Sequence, residues 1–186
     1  MKIKALLTRN SSQSADGAEK LVREIHRRNP DLDGVFRKSQ KYRWGIINLW
    51  RPLKPISREP LAVCDAQSVR DDDLQEVVLH VSGDYRKPDT DASVAANDEP
   101  APPYTSLLWQ LKPSKSHRWY FPYRMQPDEA LLIKCHDSKK DGRTATRAPH
   151  TAIQTPLDMG PPRESVEVRC ICFWEDEPRE GVGAKL

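Results

Sequence analysis

Prolines punctuate this chain so closely that few long regular elements fit between them. Sixteen occur in 186 residues, against eight glycines. The connections are therefore stiffened, and the elements they separate are expected to be short. Several windows between them carry the aromatic and β-branched residues that favour strands. Tyr42 to Trp50 (YRWGIINLW) reads as a buried strand ended by Arg51-Pro52, and Pro52, Pro55 and Pro60 forbid regular structure after it. Leu61–Cys64, Glu76–Ser82, Tyr104–Leu111, His117–Phe121 and Leu131–His136 follow as further short strands. Ser165 to Trp174 alternates best. Val166, Val168, Cys170, Cys172 and Trp174 share one face, and Glu167, Arg169, Ile171 and Phe173 the other.

One helix is expected near the start. Asp16-Gly17-Ala18-Glu19 reads as a capping box, with Asp16 as N-cap and Glu19 reaching back to it. Ala18, Leu21, Val22 and Ile25 follow at helical spacing, Arg27 and Arg28 suit the C-terminal end of the dipole, and His26 reads as a surface residue. Asn29 to Gly34 reads as a turn. Six or seven short strands and one helix favour an antiparallel sandwich or jelly roll over a doubly wound sheet. The whole chain, 1–186, reads as one domain, with an unpatterned leader (1–12), a mobile loop (83–103) that could act as a lid, and a frayed tail (175–186).

Charge and composition exclude several functions. Thirty basic and 27 acidic residues are interspersed, giving a net charge of +3 and no basic footprint for nucleic acid. No apolar run approaches the ~20 residues of a membrane span, and the first residues are too short an apolar run for a signal peptide. A cytoplasmic protein is expected. Cys64, Cys135, Cys170 and Cys172 show no metal-binding spacing and read as buried free thiols in a reducing compartment.

The candidate chemistry centres on Arg147-Ala148-Pro149-His150-Thr151-Ala152 and on Arg163-Glu164-Ser165, which opens the best strand. A His, a loop and an Arg beginning a strand is how 2-oxoglutarate oxygenases close a mononuclear iron site. The imidazole binds the metal and the guanidinium forks onto the far carboxylate of the cosubstrate. By spacing alone the signal is weak, and His150 reads first as an exposed loop histidine. Asp71-Asp72-Asp73 reads as a solvated turn, since three consecutive carboxylates converge poorly on one ion. His136-Asp137 and the stretch from His80 to Asp84 offer ligand types, but neighbours on a strand point to opposite faces. His117, before an aromatic strand, reads as packed.

Six segments together are more specific. They are Asn48-Leu49-Trp50-Arg51-Pro52-Leu53, the run from Pro60 to Val69 (PLAVCDAQSV), and His117-Arg118-Trp119-Tyr120-Phe121-Pro122. The others are the run from Pro127 to Cys135 (PDEALLIKC), Pro149-His150-Thr151-Ala152, and the run from Pro162 to Arg169 (PRESVEVR). In order and spacing the chain resembles, from about residue 13 to 174, the AsaB/CmcJ-type fungal hydroxylase/desaturase family, which includes the gibberellin desaturase. The resemblance implies a double-stranded β-helix core using Fe(II) and 2-oxoglutarate on a small natural-product substrate. It implies His150 as the distal iron ligand and Arg163 with Ser165 as the cosubstrate anchor, with Arg169 second in line for that salt bridge. Trp50 and Arg51 match a Trp-Arg-Pro signature. They would line a cosubstrate or substrate pocket, with a packing role for Trp50 equally open.

The family draws its other two iron ligands from a His-x-Asp motif just before a Gln-Ser-x-x-Gly-Ala segment. Here that segment is Gln13-Ser14-Ala15-Asp16-Gly17-Ala18, and the aligned ligand positions hold Asn10 and Ser12, which are not ligand types. The expectation is therefore a mainly-β (α+β), jelly-roll-like core with one N-terminal helix, shortened at its start and showing open edges and apolar faces. Two functions follow from the resemblance. One is an iron and 2-oxoglutarate hydroxylase or desaturase. The other is a catalytically inactive family member, acting at most as a small-molecule or protein binding module.

Overall fold

The computed structural model describes residues 2–6, 15–28, 30–81 and 104–179. The expected loop 83–103, Asn10, Ser12, and the side chain of Asp16 lie outside what it describes. Strand β1 is Lys2–Leu6, helix α1 is Ala15–Arg28 and helix α2 is Asp33–Lys41. Then come β2 (Tyr42–Pro52), β3 (Leu61–Cys64), β4 (Leu74–Val81), β5 (Tyr104–Leu111) and β6 (Trp119–Tyr120). The last strands are β7 (Leu131–Asp137), β8 (His150–Ala152) and β9 (Ser165–Pro178). The larger sheet has the order β1-β9-β2-β7 and the smaller β6-β3-β8, while β4 and β5 pair as a separate ribbon. All pairings are antiparallel. The protein is mainly β, with a jelly-roll-like core and a short N-terminal helix.

The β2–β9 register organises the core. Trp44 lies opposite Phe173, Ile46 opposite Ile171, Asn48 opposite Arg169, Trp50 opposite Glu167 and Pro52 opposite Ser165. Directly paired residues share a face, so these ten side chains form one inner surface. The two helices cover one end of it. Ala18, Val22 and Ile25 of α1 and Val35 of α2 pack with Trp44, Ile46, Cys135, Ile171 and Phe173. The smaller sheet and its loops cover the other end, where Leu61, Ile56 and Met125 pack with Trp50 and Ile133, flanked by Val63, Leu131 and Ala148. The outer face is less protected: Leu49, Leu132 and Val166 are exposed there.

Several expectations need correction. Asn29 to Gly34 is not simply a turn. A 3-10 turn at Pro30–Leu32 leads straight into α2, stabilised by the Asp33–Arg37 pair at 2.5 Å and by Lys38 and Lys41 in its last turn. Lys2–Leu6, within the leader, is a strand on the free side of β9. The strand that begins at Ser165 does not stop at Trp174 but continues to Pro178, and Arg179 then donates to Glu19 at 2.6 Å and to the Ser39 carbonyl at 3.0 Å. Glu19 is thus tied to the far end of the chain, and α1 begins before Asp16, so Asp16 sits inside the first turn. His26 is half-buried and stacks on Phe36 with 4.8 Å between ring centres. Cys64, Cys135 and Cys172 are buried free thiols, as expected, and Cys170 is half-buried.

Candidate functional site

On the inner face of β2 and β9 the apolar run is broken by polar groups. Asn48 is fully buried, and Arg169 is 2% exposed. Arg169 Nε donates to Asn48 Oδ1 at 3.0 Å, and Asn48 Nδ2 donates to Glu167. A guanidinium can only donate and a carboxylate only accept, so the amide has a single possible orientation. Glu167 and Ser165 continue the row toward the open end of the strand pair, where Ser165 is exposed. The neighbouring Cys135 thiol is pushed up to about 11 by burial and stays protonated.

His150 reaches this region from the smaller sheet. It lies opposite Val63 in the β3–β8 register and so shares the face through which Leu61 and Val63 meet the larger sheet. Backbone bonds fix the approach: Ala148 N–H donates to Lys134 O of β7, and Cys64 N–H to Pro149 O, each at 2.7 Å. His150 Nδ1 lies 2.9 Å from the Ala148 carbonyl. That oxygen can only accept, so Nδ1 carries the hydrogen and Nε2 keeps its lone pair. This is the tautomer and outer support typical of a metal-binding histidine.

Arg163 stands just before β9. Its guanidinium lies over the Trp50 ring, 5.6 Å from the centroid, and Nη1 donates to the Glu59 carbonyl. Its Nε is buried with no partner among the described residues. An orphaned N–H of a cation, two residues before Ser165, is a donor whose hydrogen bond is unmet among the described residues. Arg163 and Trp50 are therefore brought together, with Trp50 both packed in the core and beneath Arg163, while Ser165 pairs with Pro52 at the exposed end of the strand pair. Arg51 does not join them. It is the next residue of an extended strand, points to the opposite face and is exposed there, so it lines no pocket with Trp50. Arg169 is likewise in the row, but at its buried end and already engaged by Asn48.

The substitute ligand sets do not assemble. Asp137 is saturated by Arg43 (2.7 and 3.0 Å), Lys134 (2.8 Å) and the Lys139 N–H (3.0 Å). Burial pushes its pKa up, but these donors win and hold the carboxyl below its usual range. His136 is buried against Trp44 with 4.6 Å between ring centres, and burial pushes its pKa down to about 4. His80 is on the exposed β4–β5 ribbon, and Asp84 lies outside the described residues. His117, as expected, is packed, 3.2 Å from Asp73. No group of three metal-ligating side chains forms among the described residues. A cleft of about 260 Å³ opens beside Ser57, Phe121, Tyr123 and Leu157, but His150, Arg163 and Arg169 do not line it.

Sequence reasoning passed over Asn48 and Glu59. For Asn48 the signal was present: an amide at an inner position between Ile46 and Trp50. For Glu59 there was none, because it acts through its backbone carbonyl across 104 positions.

Comparison with known proteins places the sequence and the fold. The model of the oxidoreductase/YMDC permease-like domain matches residues 11–173. The chain is 44% identical over 168 residues to the hydroxylase/desaturase efuI of Hormonema carpetanum, covering 90% of this chain and 52% of that protein. It is 48% identical over 140 residues to the hydroxylase/desaturase asaB of Aspergillus flavus, covering 74% and 59%. Among solved structures it resembles the iron and alpha-ketoglutarate-dependent endoperoxidase NvfI, with a TM-score of 0.66 and 25% identity, covering 93% of this chain and 62% of that one. The chain spans about half the length of the curated relatives it matches. None of the helices described is long and apolar enough to cross a membrane.

Proposed function

The chain belongs to the AsaB/CmcJ-type fungal hydroxylase/desaturase family, and from that premise we propose that it acts as a non-haem Fe(II)/2-oxoglutarate oxidoreductase. Its substrate would be a small secondary-metabolite scaffold, hydroxylated or desaturated by a single oxygenase-like domain in the cytoplasm. One observation carries the reading. A histidine whose neutral ring has its lone pair on Nε2 lies opposite Val63 of the smaller sheet, and an arginine whose buried Nε has no partner among the described residues lies over Trp50 of the larger sheet.

His150 would supply one metal ligand through Nε2. When bound, Fe(II) supplies the oxidising chemistry, with O2 and 2-oxoglutarate as co-reactants. The rest is the work of this chain's own side chains. Arg163 would anchor the far carboxylate of 2-oxoglutarate, with Ser165, two residues on, as a second donor. Trp50 fixes the plane of the guanidinium from below, and the Trp50–Ile133–Leu61 cluster keeps water from that side of the site. The Ala148 carbonyl holds the His150 ring in the metal-binding tautomer.

The reading is tested by anaerobic titration of Fe(II) with 2-oxoglutarate, followed by the weak visible charge-transfer band, on this chain and on His150→Ala. A band present in the first and lost in the second supports it. Asn10 and Ser12 at the remaining ligand positions favour the second reading, a binding module without catalysis. That reading predicts no band in either protein but retained affinity for 2-oxoglutarate.

A further inference from the structure

Arg163 is aimed by a relay that runs through the backbone of Glu59. The loop from Leu53 to Pro60 and the loop from Ile153 to Glu164 lie against each other, closed at several points. Leu53 N–H donates to Glu164 O at 2.9 Å, Lys54 pairs with the Glu164 carboxylate at 2.5 Å, and Ile153 N–H donates to Pro60 O at 3.1 Å. Ser57 and Met159 exchange two bonds, Ser57 Oγ to Met159 O at 2.8 Å and Met159 N–H to Ser57 O at 2.9 Å. Inside this frame Glu59 has φ of 52°, the left-handed region that L side chains avoid. Its N–H donates to Asp158 Oδ2 at 3.1 Å, and its carbonyl accepts from Arg163 Nη1. Asp158 is itself held: Thr155 Oγ1 donates to Asp158 Oδ1 at 2.7 Å, and the Asp158 N–H donates to Thr155 O at 3.1 Å.

We propose that Asp158 is a positioning residue for Arg163: by accepting the Glu59 N–H it holds that peptide in its left-handed turn, and the Glu59 carbonyl then sets the guanidinium over Trp50. The proposal rests on the reading of Arg163 as the cosubstrate anchor. A carboxylate on Glu59 N–H and a cation on its carbonyl pull the same residue from both sides, and neither contact needs the glutamate side chain. Three features point to this role over ordinary loop packing. Glu59 is one of two described non-glycine residues with a left-handed φ, the other being Arg124, and its carbonyl is the one that accepts from Arg163. Each carboxylate oxygen of Asp158 accepts one hydrogen bond, Oδ1 from the Thr155 hydroxyl and Oδ2 from the Glu59 N–H. The Ser57–Met159 and Lys54–Glu164 bonds already hold the two loops together, so loop closure does not require Asp158. The Asp158 carboxyl is held below its usual range, chiefly by the Thr155 hydroxyl, so it stays an acceptor at neutral pH.

The test uses Asp158→Ala and Asp158→Asn in the full chain, with Arg163→Ala as reference. Three signals are read: hydrogen exchange at the Glu59 amide, the fluorotryptophan NMR resonance of Trp50 (assigned with Trp50→Phe), and calorimetric affinity for 2-oxoglutarate. Asp158→Ala is expected to speed Glu59 exchange, move the Trp50 resonance toward its position in Arg163→Ala, and weaken 2-oxoglutarate binding about tenfold, the loss of roughly one charge-assisted hydrogen bond's worth of orientation. Asp158→Asn keeps an oxygen toward Glu59 N–H and should restore all three to within about threefold. A Trp50 resonance and an affinity unchanged in Asp158→Ala would overturn the proposal. If the unmutated chain binds no 2-oxoglutarate, the cosubstrate reading fails by itself. The exchange and Trp50 signals then still decide the relay, upheld if both move in Asp158→Ala and overturned if they do not.

Discussion

The two ends of the β2–β9 pair share strands, register and alternation, yet they do opposite things. From Trp44 and Phe173 to Ile46 and Ile171 the inner face buries apolar side chains, capped by Val22, Ile25 and Val35 from the helices. From Asn48 and Arg169 to Pro52 and Ser165 it carries an amide, a guanidinium, a carboxylate and a hydroxyl, with Arg163 beyond them. The first end is what folding alone would select. The second costs desolvation that hydrogen bonds only partly offset. Here the buried polar groups satisfy one another, Arg169 on Asn48 and Asn48 on Glu167.

The comparison can be broken most forcefully at the apolar end. Phe173→Ala is expected to cost about 3–5 kcal/mol in denaturant unfolding, with 2-oxoglutarate affinity of the folded fraction unchanged. At the polar end, Arg169→Ala leaves the buried Asn48 Oδ1 without its donor and should cost about 3 kcal/mol. The two ends part company in the triple replacement Asn48→Leu, Glu167→Leu, Arg169→Met. Stability should return to the parent value or above it, which no replacement at the apolar end would achieve.

His136 sharpens the comparison through pH. Its imidazole is held neutral beside Trp44, with its pKa pushed from 6.5 to about 4 by burial. The folded state therefore binds fewer protons than the unfolded state between those values. The contribution is complete above about pH 6.5 and is lost as pH falls toward about 4, about 3 kcal/mol in all, and His136→Gln should flatten that part of the stability profile. The smallest effect is expected at Arg51. Exposed on the opposite face, Arg51→Ala should change stability by less than about 0.5 kcal/mol and leave 2-oxoglutarate affinity unaltered.

What was legible in the sequence follows the same division. Aromatic and β-branched content marked Tyr42–Trp50, and alternation marked Ser165–Trp174, because a half-buried strand writes its burial into every second residue. Helix α2 was hidden by Gly34 near its start and by its few apolar side chains, with Val35 and a Ser39 bonded back to the Phe36 carbonyl as its buried residues. β1 was hidden because five residues carry too little pattern to reveal pairing with a strand at the far end of the chain. At the site, His150, Arg163 and Ser165 were marked by residue type and order. The contacts that aim them were not, because Ala148, Glu59 and Lys134 contribute carbonyl oxygens, which every residue possesses. Arg51 was misplaced for the converse reason: a shared motif says nothing about which face each member occupies.

The most direct test of the polar end as a cosubstrate site is calorimetric titration of 2-oxoglutarate into this chain, Arg163→Ala and Arg51→Ala. The account predicts measurable binding in the unmutated chain and in Arg51→Ala, weakened more than about tenfold in Arg163→Ala, the cost of removing a charge-assisted anchor. Equal affinity in all three proteins would contradict it and detach Arg163 from the anion site.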